Sequence, residues 1–142
     1  MRILLMLVAA IASAQSTYDA ALAAKLKGDE RGMKKYVMAF LKRGPTPPKD
    51  PAESARLQDA HMANITRMAH EGKLVLAGPF LDKGELRGIY IFNVETLAEA
   101  EALTSTDPAV KAGSLAMELH PWYGSAALLE VVPLHDKIVK KT

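Results

Sequence analysis

Apolar side chains recur along this chain with two different periods, and the switches between them mark its elements. Residues 34–42 alternate, with Tyr36, Met38 and Phe40 on one face of a strand and Val37, Ala39 and Leu41 on the other. Both faces are apolar, so this strand is expected at the centre of a sheet covered on both sides. Gly44-Pro45-Thr46-Pro47-Pro48 forbids regular structure after it. A helix start signal follows, in which Asp50 is the N-cap, Pro51 the first helical residue and Glu53 the capping-box partner. The helix is predicted to run to about Glu71, where Gly72 ends it. Its apolar stripe is Leu57, Ala60 with His61, Ile65 and Met68, at helical spacing.

The period then returns to two. Residues 73–80 form a second strand, broken at Gly78-Pro79, and a polar turn over 82–85 leads to a third strand over 86–94. So short a turn makes these two strands an antiparallel hairpin. Thr96 caps a second helix carrying Leu97, Ala100 and Leu103, and residues 107–113 make a further helical turn with its own cap and stop. A fourth strand is predicted over 114–120, ended by Pro121. The order strand, helix, strand, strand, helix, strand predicts an α+β fold. It suits a ferredoxin-like βαββαβ plait, a four-stranded antiparallel sheet with both helices on one face. The opposite face is then bare, and burial at about 25 cal/mol per Å² makes a second copy its expected cover, giving a homodimer. The tail, with Leu128, Leu129, Val131, Val132, Leu134 and Ile138, is compatible with a latch on the partner or on the chain's own helices.

The N-terminus has a different character. Met1-Arg2 is a short positive region, residues 3–11 are apolar, and Ala12-Ser13-Ala14 reads as a small-x-small cleavage signal before Gln15. The expectation is a secretory signal peptide over 1–14, cleaved after Ala14. The product would be periplasmic or extracellular, with no membrane association after cleavage. No Cys follows the site, which excludes a lipid-anchored form. Residues 15–32 are read as an N-terminal extension, with Thr17 capping a short helix that Gly28 stops. Residues 33–123 form the domain and 124–142 a C-terminal tail.

Composition narrows the chemistry. The formal charge is +2, or +1 once Arg2 is removed, and the basic patches at Lys34-Lys35, Lys42-Arg43 and residues 137–141 carry no interleaved aromatics. Nucleic acid is therefore not an expected partner. Cys is absent, which removes thiol catalysis, disulfides and Cys-based metal sites. Histidines and carboxylates stand at no HxxxH or HxH spacing, so no metal site is expected. There is no GxGxxG, P-loop or GxSxG motif, so no cofactor is expected either.

The four histidines are then the groups that titrate near neutrality. His70 suits the polar last turn of the first helix, and His135 a solvated tail. His120, beside Pro121 and Trp122, suits strand-end packing or the wall of a cleft. His61 lies on an apolar stripe, so it requires a partner or buries an unmet polar group. Asp107 has two readings that spacing does not separate. One is an N-cap of the Pro108 turn; the other is a carboxylate that orients His61.

These residues resemble the YciI-like family of the dimeric α/β-barrel class. The resemblance is carried by residues 56–61 of the first helix, residues 76–79 with Gly78-Pro79, Arg87-Gly88, and Asp107-Pro108 with Gly113. It implies a pocket between sheet and first helix with a histidine–aspartate dyad, which maps onto His61 and Asp107. It also implies a fold similar to muconolactone isomerases, and the family includes a chloromuconolactone dehalogenase. Proton transfer or elimination on a small lactone is the activity so implied, with oxyanion stabilisation by Arg87 or by backbone amides near Gly78 and Pro79. The competing expectations are a non-catalytic dimeric module binding a small-molecule ligand, and a purely structural protein whose pocket is filled by Trp122 or the tail.

Overall fold

The computed structural model describes residues 17–140, so the segment read as a signal peptide lies outside the described residues. The elements are α1 (Ala20–Lys25), β1 (Met33–Arg43), α2 (Pro51–His70), β2 (Leu74–Pro79), β3 (Leu86–Phe92), α3 (Leu97–Thr104), α4 (Pro108–Lys111), β4 (Leu115–Ser125) and α5 (Val131–Ile138). A 3₁₀ helix over Ala126–Glu130 joins β4 to α5. The four strands form one antiparallel sheet in the order β2-β3-β1-β4, with β1 central as its two apolar faces require.

The alternation along β1 divides the molecule into two layers. Val37, Ala39 and Leu41 face α2 and α3, where they pack with Met68, Tyr90, Phe92 and Ala100 in the main core. Tyr36 and Met38 face the other way. There Tyr36, Val75 and Ile91 are covered by Trp122 and by Leu128 and Leu129 of the 3₁₀ helix. The first part of the tail is accordingly a component of this layer. It folds back onto the second face of its own sheet, and the Tyr36 phenol donates to the Ser125 carbonyl at 2.9 Å to pin the turn. The second face is thus partly clothed from within the chain.

Local signals set most boundaries. The Asp50 carboxylate accepts from the Glu53 amide at 2.7 Å, while the Glu53 side chain accepts from Lys49 N, one residue before the cap. Thr96 and Glu99 close a full capping box on α3. α2 ends on Gly72 at φ 71°, with Lys73 N–H returning to the Met68 carbonyl.

Two expectations are corrected. α1 is capped by Asp19, not Thr17, and its left-handed terminal residue is Lys27 (φ 54°) with Gly28 one place later. Pro121 does not end β4, which runs on to Ser125 with Pro121 opposite Val37. The reason is position: β4 is an edge strand, and an N–H that would point away from β1 is lost there at no cost.

Candidate active site

The site forms where α2 crosses the first face of the sheet. Helical spacing puts His61 on the buried side of α2, one turn from Leu57 and from Asn64 and Ile65. Across from it, strand alternation turns Leu41, Gly88 and Tyr90 toward the helix layer. The space between them is a cavity of about 300 Å³. Its apolar walls include Leu41, Met62, Ile65, Pro79 and Leu115, and its polar groups are Gln58, His61, Arg87 and Tyr90.

His61 lines this cavity and meets Asp107 behind it. His61 Nδ1 lies 2.6 Å from Asp107 Oδ2, and Asp107 is completely buried. The other oxygen, Oδ1, accepts from Ala109 N–H at 2.8 Å, which is the N-cap bond of α4. The two readings of Asp107 are therefore both met, because a carboxylate has two oxygens. A carboxylate accepts only, so Nδ1 carries the proton and the lone pair of neutral His61 lies on Nε2.

That lone pair faces a residue the sequence reading did not single out. Tyr90 Oη is 3.3 Å from His61 Nε2, and its O–H donates to the unprotonated nitrogen. The Tyr90 side chain is 1% exposed. Burial, and then the negative charge of Asp107, push its phenol well above the ordinary tyrosine range, so it stays a neutral donor. A signal for it was present: an inward-facing phenol on β3 needs a partner as much as His61 does. Asn64, also buried, was missed. Its Oδ1 accepts from Arg67 Nη2 at 2.8 Å, and the same Nη2 donates to Thr106 Oγ1 at 3.1 Å. This ties α2 to the residue next to Asp107.

The remaining predicted residues divide. Arg87 lines the cavity because β3 carries an irregularity there: Leu41 pairs with Gly88 and Lys42 with Leu86, leaving Arg87 opposite no residue of β1. Such a bulge re-aims a side chain that alternation would turn away. No hydrogen bond or ion pair engages the Arg87 guanidinium among the described residues, so a cation stands unspent at the cavity wall. Gly78 and Pro79 line the same cavity. Gly88 makes the close approach there, since a Cβ on it would lie 2.6 Å from the Gly78 carbonyl oxygen. His120 is not brought to the site. Paired with Met38, it faces the opposite side of the sheet, where it contacts Glu118 Oε1 at 2.7 Å and the edge of Phe40. Trp122, Leu128 and Leu129 also sit on that opposite face, and no described residue of the tail lines the cavity. Among the described residues no group of three metal-ligating side chains occurs.

One similar solved structure is the 5-chloro-2-hydroxyhydroquinone dehydrochlorinase of Burkholderia phenoliruptrix AC1100, in complex with 2,5-dihydroxybenzoquinone. It is 20% identical, with a TM-score of 0.46, covering 61% of this chain and 92% of that one. No curated protein matches. The YCII-related domain family matches residues 38–123, a span that runs from the middle of β1 through most of β4 and includes His61, Arg87, Tyr90 and Asp107. This chain belongs to the family of YCII-related domains.

Proposed function

We propose that this protein is a small-molecule enzyme that moves a proton on a small acidic substrate, by isomerisation or elimination at a lactone or similar enolisable ring. The observation that carries the reading is the buried His61–Asp107 pair at 2.6 Å opening on a cavity that also presents an unpaired arginine. Asp107 holds the proton on Nδ1 and offsets the positive charge that forms when Nε2 accepts one. His61 Nε2 takes a proton from the carbon next to a carbonyl, and the electron pair moves onto the carbonyl oxygen beside Arg87. Collapse of that oxyanion either returns the proton at a second carbon or expels a leaving group such as chloride. Tyr90 must release Nε2 for this to happen, and its 3.3 Å bond is long enough to yield to a substrate.

A second reading is favoured by one observation. Both imidazole nitrogens already have partners, as a satisfied histidine in a non-catalytic ligand-binding module would. Export and homodimerisation belong to the proposal as well. The first rests on residues 1–14, the second on the part of the sheet's second face around Phe40 that the tail leaves open.

The test is a panel of small lactones and chlorinated lactones in D₂O, followed by proton NMR and chloride release. The proposal expects exchange or chloride loss with the wild type, reduced at least ~10²-fold in His61→Gln. Saturable binding without turnover on the whole panel would establish the binding module instead.

A further inference from the structure

The catalytic cavity does not stand alone. A second groove, of about 660 Å³, runs between α2, β2 and α5. Met62, Ile65 and Ala77 line both spaces, so the two meet at these residues. Ala77 carries a single methyl group there, and Met62 is about half exposed, a flexible side chain able to move aside. Beyond the junction the groove walls are Ala69, Leu76, Val131, Val132 and Val139. Its charged and titratable residues, His70, His135 and Asp136, are all exposed.

Resting on the proton-transfer reading of the cavity, we infer that the site takes an amphiphilic acid, with its anionic head at Arg87 and His61 and an unbranched apolar chain in this groove. Three observations select that occupant. The unpaired cation, Arg87, lines the cavity and not the groove, which matches a molecule charged at one end. The groove's middle is apolar and continuous with the cavity, so a chain attached to a head in the cavity enters it directly. Strand addition on β2 is disfavoured. Phe80 N–H bonds inward to Arg87, so the preceding nitrogen, that of Pro79, faces outward and has no hydrogen to offer an added strand.

The test uses straight-chain carboxylates from butanoate to decanoate, kept below micelle formation, with affinities from calorimetry. Affinity should rise roughly two- to fourfold per added methylene, or on the order of 10²-fold or more across the series. Ala69→Trp and Val132→Trp, each filling the groove, should abolish the rise while leaving butanoate binding as in the wild type. Arg87→Gln should weaken every member by a similar factor. A flat series in the wild type overturns the inference, as does a rise that survives both tryptophan variants. Sedimentation showing that the groove is closed by a second copy, with decanoate unable to dissociate it, also overturns it. Inactivity toward every lactone would count against proton transfer and leave the chain-length series standing. A flat series with active enzyme would do the reverse.

Discussion

His61 and Asp107 stand 46 residues apart in the chain, on a long helix and a four-residue one, yet Nδ1 and Oδ2 lie 2.6 Å apart. The same carboxylate caps α4 through its other oxygen. The cap thereby fixes the carboxylate that fixes the imidazole, so local helix chemistry is what aims the dyad.

Asp107→Asn separates the two jobs. The amide oxygen still caps Ala109, but the side chain can now offer its NH₂ to Nδ1 and draw the lone pair there. Nitrogen NMR of labelled histidine should show His61 protonated on Nε2 instead of Nδ1. Activity should fall by about 10²-fold or more through the wrong tautomer, while stability drops by about 1–3 kcal/mol for a weakened buried bond. An unchanged tautomer would mean that Asp107 does not orient His61.

Tyr90→Phe tests the phenol through pH. Burial, then Asp107, raises the folded-state value above the unfolded 10.0, so the folded protein holds this proton more tightly than the unfolded chain. The associated stability is full below about pH 10 and is lost as pH rises beyond it. Urea unfolding at intervals from pH 8 to 11 should therefore show stability declining above pH 10, with a shallower decline in Tyr90→Phe. Equal slopes would place the alkaline sensitivity elsewhere, Tyr36 being the next candidate because burial raises it too.

Arg87→Gln should be nearly silent in thermal unfolding, within about 0.5 kcal/mol, because no described side chain depends on the guanidinium. Binding of small carboxylates should weaken by about tenfold or more, as loss of a charge-assisted contact of about 1.5–3 kcal/mol requires. A large stability loss would show instead that Arg87 holds the β3 bulge.

Gly88→Ala and Gly78→Ala form a matched pair on neighbouring strands. A Cβ at 88 meets the Gly78 carbonyl oxygen at 2.6 Å, whereas a Cβ at 78 meets nothing within 4 Å. Denaturant unfolding should show about 1–3 kcal/mol lost for the first and at most about 0.5 kcal/mol either way for the second. Similar costs at both positions would contradict the close approach at the cavity.

Periodicity with cap and stop residues identified the four strands, the helices that precede β4 and the two faces of β1, because these signals are local consequences of backbone geometry, whereas it did not identify α5 in the tail. It also placed His61 inward on α2 and demanded a partner for it. It did not supply that partner, since α2 and α4 share no spacing rule. Tyr90 does not stand out in the sequence, because an aromatic residue within an apolar strand has the pattern of core. β4 was cut short at Pro121 because whether a proline is tolerated depends on which side of the strand has a neighbour, and that is a property of the sheet. His120 shares its chemical type with His61, but its pairing with Met38 puts it on the other face of the sheet.

What the sequence determined by itself is therefore the four strands and the helices that precede β4, their order, the two faces of β1 and the presence of a buried histidine needing a partner. These follow from interactions between residues a few positions apart. What only the tertiary structure decided is the meeting of His61 with Asp107 and Tyr90, the turning of Arg87 into the cavity, and the return of the tail onto its own sheet. Each depends on contacts between elements distant in the chain. Such contacts are selected by packing the whole core at once, and no local pattern encodes them.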